Sequence, residues 1–119
     1  VLPDGNQRSD YGLMGGLEIL NQDGKDILLF SNIDIPMKET TNDLPFENRW
    51  GDRFRGTLWV SMDGGENWPI KKLVEEGSFA YSSIVKGREG TPSEGWIYLL
   101  YESGRGGKIA RFNWDWIFK

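Results

Sequence analysis

The sequence of 119 residues suits one domain; charged and apolar fractions of 27% and 38% exclude a disordered chain, and no apolar run is long enough to span a membrane. A formal charge of −4 argues against a nucleic-acid binder, which needs a concentrated excess of Lys and Arg, while a local Arg cluster could still take a small anion. With neither cysteine nor histidine, a disulfide framework, thiolate or His-ligated zinc and Ser-His-Asp chemistry are all excluded within these residues, and the redox compartment stays open.

Sixteen glycines together with six Trp, four Tyr and six Phe favour aromatic strands joined by many turns, so an all-β fold is expected and helix signals are weak throughout. The start, Val-Leu-Pro-Asp-Gly, has neither an initiating Met nor a charged segment before an apolar core, and reads as the interior of a longer polypeptide. Residues 1–11 read as a polar loop broken by Pro3, Gly5 and Asn6. Leu13 to Leu20 predicts a strand, and the Asn21–Gly24 turn joins it to Asp26–Ser31, which is apolar on both faces and so belongs at the centre of a sheet. The Gly15-Gly16 pair admits either close approach of backbone to a pocket or a packing or bulge role.

From Asn32 to Asp52 the pattern breaks up around Pro36 and Pro45, a loop length that is often functional. Alternation resumes over Arg53–Ser61. Pro69–Leu73 pairs with it as a second hairpin and ends at a Glu75-Glu76-Gly77 turn. Three more strands are expected over Ser78–Lys86, Gly95–Ser103 and Lys108–Trp114, separated by Gly87–Glu94 and Ser103–Gly107. Seven short antiparallel strands fit one to two four-stranded blades of a β-propeller, with residues 1–119 forming a segment of one domain and no separate second domain.

The sharpest local motif is Val60-Ser61-Met62-Asp63-Gly64-Gly65-Glu66-Asn67-Trp68-Pro69. Asp63 can accept hydrogen bonds from the turn backbone, Gly64 and Gly65 permit positive φ, and Trp68 can fold back over the turn. The Ser-x-Asp-x-Gly-x-x-Trp spacing of Ser61, Asp63, Gly65 and Trp68 is similar to the Asp box of sialidases and other Asp-box (BNR-repeat) propellers, with Asn67 where Thr is commoner. In that setting it is a structural turn away from the active centre.

Four further segments keep the same company in a fixed order: Leu28-Leu29-Phe30-Ser31-Asn32 with Arg53 eight residues before Ser61, then Gly77–Ser83, Tyr98–Glu102 and Ile109–Trp114. Over about residues 12–116 the chain resembles the C-terminal third of the catalytic domain of an exo-α-sialidase (neuraminidase). The resemblance implies a six-bladed propeller of four-stranded antiparallel blades, no cofactor, no metal, a sialylated glycan as substrate, and the remainder of the propeller as partner. It also favours a secreted, periplasmic or cell-surface location.

What the resemblance implies for single residues has a chemical rationale. Tyr81 matches the catalytic nucleophile. The anomeric carbon of sialic acid bears a carboxylate, which repels an anionic nucleophile, whereas a neutral phenol can approach and lose its proton during attack. A phenol with an ordinary pKa near ~10 needs a base for this, and the family's glutamate for that role has no counterpart here. Taken alone, Tyr81 reads as a half-buried strand aromatic. Arg53 matches the third arginine of a triad that grips the substrate carboxylate, a task suited to a planar, permanently charged fork. Arg55 is its rival: strand alternation puts both on one face, and only the spacing to Ser61 separates them. Glu102 matches a supporting glutamate that holds the first triad arginine.

The general acid/base aspartate, two triad arginines and the activating glutamate lie upstream of the matched stretch in the family, so the chain alone is expected to be catalytically incomplete. Three functions stay open: a retaining exo-α-sialidase, a non-catalytic Asp-box propeller that binds glycan or protein, and a related glycosidase or trans-sialidase on the same fold. Linkage preference would reside in loops such as 33–52 and 87–94.

Overall fold

The computed structural model describes residues 2–3, 13–35 and 53–119. The polar loop expected over 1–11, apart from residues 2–3, and most of the 33–52 loop lie outside the described residues. Among the described residues seven strands form two antiparallel sheets. The first runs β1 (Gly16–Gln22), β2 (Lys25–Ile33), β3 (Phe54–Ser61) and β4 (Ile70–Ser78) in that spatial order; the second runs β5 (Ser82–Lys86), β6 (Ile97–Ser103) and β7 (Gly106–Phe112). The fold is all-β, and the four-stranded sheet has the make-up of one propeller blade while the three-stranded sheet is part of a second.

Local chemistry accounts for the hairpins. Asp23 and Gly24 both take positive φ, 53° and 79°, the conformation of a tight two-residue turn that suits the right-handed twist of the flanking strands. The strands run closer to this turn than expected, with Gln22 opposite Lys25. β2 does lie inside the sheet, between β1 and β3. Its two faces do different work: Ile27, Leu29 and Ile33 enter the main core, whereas Phe30 packs against Trp59 and Trp68, with ring centroids at 5.9 and 6.0 Å. The core joins the two sheets through Leu29, Leu58, Val60, Ile84, Ile97 and Leu99, and full burial of each such side chain stabilises by about 1.5–3 kcal/mol.

Beyond shifts of two or three residues at strand ends, three segments differ from the sequence expectation. The Glu75-Glu76-Gly77 segment is not a turn but the continuation of β4, because the β3–β4 ladder shifts register between Phe54 and Thr57 and so keeps pairing as far as Ser78. The strand expected over Ser78–Lys86 is two pieces: β4 ends at Ser78, the chain crosses between sheets through Phe79-Ala80-Tyr81, and β5 starts at Ser82. Finally, Trp114–Phe118 is a short helix, α1, rather than a strand end. Asn113 caps it, its side-chain oxygen accepting from Trp116 N at 3.1 Å, while Ile117 fills the core.

The turn after β3 closes on itself. Asp63 Oδ1 accepts from Asn67 N at 2.9 Å and from Ser61 Oγ at 2.9 Å, and Oδ2 accepts from Asn67 Nδ2 at 2.8 Å. Ser61 Oγ in turn accepts from Gly65 N at 2.9 Å. Gly64 and Gly65 sit at φ 76° and 92°. These bonds, led by the backbone N–H of Asn67, hold the Asp63 carboxyl below its ordinary value of 3.8.

Candidate functional site

Tyr81 stands at the crossover between the sheets, where the chain is held at each residue. Phe79 N donates to Arg53 O and Ala80 N to Glu102 O, both at 3.0 Å. Phe79 is fully buried and stacks on Tyr101 with ring centroids 4.7 Å apart. Its ring occupies the space where a side chain on Gly56 would be, so a Cβ at that position would overlap it. The two flanking residues are thus sunk in the core, and Tyr81 between Ala80 and Ser82 is pushed outward, 42% exposed.

Glu102 meets Tyr81 from the neighbouring strand. Its backbone N donates to Tyr81 O at 3.0 Å, and its Oε1 accepts from Tyr81 N at 3.3 Å. Arg53 approaches from the start of β3, its guanidinium carbon 5.2 Å from the Tyr81 ring centroid, a cation–π distance. Arg53, Tyr81 and Glu102, scattered in sequence, are therefore brought together. Tyr81 and Glu102 border an open cleft of about 800 Å³ whose wall also includes Ser82, Met14 and Leu100, and Arg53 lies on the Tyr81 ring outside that wall.

Arg53 and Arg55 do not share a face, contrary to simple alternation. Arg53 lies just before β3, and Arg55 has a left-handed φ of 60°, a conformation that costs a non-glycine residue about 1–3 kcal/mol. The carbonyl of Arg53 consequently points to Phe79 while that of Arg55 points to Asp34, whereas residues two apart in a regular strand point the same way. Arg55 is occupied elsewhere: Nε donates to Asp34 O at 3.1 Å and the guanidinium lies 3.8 Å from Glu76.

Behind the crossover is a polar cluster that sequence reasoning missed. The Glu75 carboxylate, at the position read as a turn, accepts from Lys108 Nζ at 2.8 Å and from the Tyr101 hydroxyl at 3.2 Å, so it links both sheets beneath the Phe79–Tyr101 stack. The Lys108 hydrogen bond, aided by Gly77 N–H, holds Glu75 below its ordinary 4.5. Burial first, then the Glu75 charge, pushes Tyr101 above 10.0, and Glu75 raises Lys108 above 10.5. Also unassigned from sequence were Ser31 and Ser82, whose hydroxyls meet at 2.8 Å inside the core. The only signal was at Ser31, a polar residue following the apolar run Ile27–Phe30. Among the described residues no cluster of acidic side chains could hold a metal ion, and no helix is long and apolar enough to cross a membrane.

Comparison with known proteins adds to this geometry. No family model matches the chain. A sialidase of Micromonospora viridifaciens is 38% identical over 65 residues, which cover 55% of this chain and 9% of that protein. The solved structure of a Hadza microbial sialidase superposes with a TM-score of 0.61 at 28% identity, over 88% of this chain and 18% of that one. The chain resembles sialidases in both sequence and fold. The sialidase-like segment thus spans less than a fifth of the length of the relatives it matches.

Proposed function

We propose that this chain is the C-terminal segment of the catalytic propeller of a retaining exo-α-sialidase, which removes terminal sialic acids from glycoconjugates. The gathering of Arg53 and Glu102 around Tyr81, which opens onto the cleft, carries the reading. In it, Tyr81 Oη attacks the anomeric carbon and forms a bond to it, its proton passing to a glutamate of the upstream part of the domain, as the glycosidic oxygen departs, protonated by an upstream aspartate. Water then attacks the aryl glycoside, the proton it loses returning to that aspartate, and the departing Tyr81 oxygen takes its proton back from the glutamate, so that Tyr81 is regenerated with retention. Arg53 binds the substrate carboxylate through charge-assisted hydrogen bonds, and its charge beside the Tyr81 ring favours the anionic character that the phenol oxygen gains during attack.

Glu102 supports the site by fixing the Tyr81 backbone. Ser61, Asp63, Gly65 and Trp68 form an Asp-box turn with no part in the chemistry. The upstream propeller supplies the acid/base, the glutamate that activates Tyr81 and the other two arginines, and residues 1–119 alone are inactive. That remainder also covers the bare face of the second sheet, on which Val85, Leu100 and Ile109 are each more than half exposed.

The test is hydrolysis of a fluorogenic α-sialoside by the complete parent polypeptide and by its Tyr81→Phe variant, which lacks only the attacking oxygen. Turnover in the parent that collapses in the variant is the expected result. A folded parent with no turnover of this or natural sialosides would return the chain to the class of binding propellers.

A further inference from the structure

We propose that the buried hydroxyl pair Ser31–Ser82 is a positioning device that fixes Tyr81 from the side opposite Glu102; the inference rests on Tyr81 being the nucleophile. Ser82 follows Tyr81 directly, and its Oγ lies 2.8 Å from Ser31 Oγ on β2, 51 residues away. Both serines are buried, Ser31 completely. Their protons have one arrangement that uses every donor. Ser31 Oγ accepts from Gly16 N at 3.1 Å and donates to Ser82 Oγ, which donates to the Ser31 carbonyl at 3.4 Å. Ser82 N completes the set by donating to Met14 O at 3.1 Å.

The surroundings are shaped around this pair. A Cβ on Gly16 would stand 2.7 Å from Ser31 Oγ and 2.9 Å from Ile84, so only glycine lets β1 deliver its N–H to that hydroxyl. This decides between the two roles open for Gly16 in favour of packing. Tyr81 is consequently held twice over, its own N–H and C=O by Glu102 of the second sheet and its successor by Ser31 of the first. The Tyr81 side chain is 42% exposed and has Arg53 against its ring rather than a core around it, so its aim depends on this backbone grip. Attack on carbon tolerates little error in it, a displacement near ~1 Å costing on the order of 10²-fold in rate.

Ser82 borders the cleft, but its hydroxyl is turned inward onto Ser31, away from the substrate, so the loss of the pair should leave binding intact. In the complete parent polypeptide, Ser82→Ala and Ser31→Ala are each expected to lower kcat for the fluorogenic sialoside by about tenfold with KM within about twofold. The double variant should be no worse than either single one, because both remove one shared interaction. Independently of activity, amide exchange at Tyr81 and Ser82 should quicken while that at Leu29 and Leu58 stays slow, which separates loosening from unfolding. Unchanged kcat with unchanged exchange, or losses that multiply in the double variant, would overturn the proposal while leaving a Tyr81-dependent activity standing. An unaltered parent without turnover would instead remove the nucleophile reading and this proposal with it, and the exchange data would then report only what holds residues 80–82.

Discussion

The two ends of β3 are built by different means. At its C-terminal end the Ser61–Trp68 turn satisfies itself: every hydrogen bond to Asp63 comes from within four residues. At its N-terminal end, eight residues and about 26 Å away, Arg53, Arg55 and Gly56 have partners from β2, β4 and the crossover, and the backbone departs from regular strand geometry. A self-contained turn holds its shape whatever chain surrounds it. The other end takes its shape only from the assembled sheets, and it is there that a solvent-facing tyrosine and a guanidinium are brought together.

The largest effect should come from adding one carbon at the assembled end. In Gly56→Ala the new methyl overlaps the Phe79 ring, which is fully buried between Tyr101 and the β3 backbone and has nowhere to retreat. Overpacking of this kind costs about 1–3 kcal/mol, and here the strain falls two residues from Tyr81. We expect a lower unfolding midpoint for the parent polypeptide together with a drop in sialoside turnover beyond what the unfolded fraction explains. Full turnover in the folded fraction would show that the crossover can shift without moving the tyrosine.

The same contrast explains what could be read in advance. Strand number, hairpin order and the central place of β2 follow from alternation and turn residues, which are local, and the Asp63 turn follows from four residues within one short motif. Alternation also assumes a regular ladder. The register shift between Phe54 and Thr57 breaks that assumption, so it placed Arg53 with Arg55 and made a turn of Glu75-Glu76-Gly77. No local pattern signals that a strand will bulge because a phenylalanine from the crossover needs the space above Gly56. The Ser31–Ser82 contact was equally hidden, since both serines lay in noticed segments but their meeting depends on how the two sheets pack. Helix α1 escaped for a simpler reason: its aromatic run, Trp114-Asp115-Trp116-Ile117-Phe118, has the composition of a strand, and only the Asn113 cap argues otherwise.

A smaller effect, and a different kind, is expected at the self-contained end. Asp63→Ala removes the acceptor that gathers Ser61 and Asn67, so the unfolding temperature of the parent should fall, while the kcat of the remaining folded protein stays unchanged. Thermal unfolding and turnover measured on one preparation would check this. A loss of kcat in fully folded protein would break the comparison, since it would mean that the two ends of β3 communicate.

The smallest effect is a pH dependence of the Glu75 clamp. Glu75 is depressed below 4.5, chiefly by Lys108, so its contribution to stability is present above that value and lost as pH falls through the lowered one. Tyr101 and Lys108 are raised, so their contributions are complete below 10.0 and 10.5 and are lost as pH rises through the raised values. The stability gap between the parent and its Glu75→Gln variant should therefore be flat between 4.5 and 10.0 and close on the acid side once the parent's own carboxylate is protonated. Urea unfolding across that range measures it. Lys108 is 57% exposed where it meets Glu75, so added salt should narrow the gap at neutral pH as well, whereas the Tyr101 hydrogen bond, more deeply placed, should survive it. A gap that ignores both acid and salt would mean that the shape of the Phe79–Tyr101 stack, rather than the charge beneath it, holds the crossover in place.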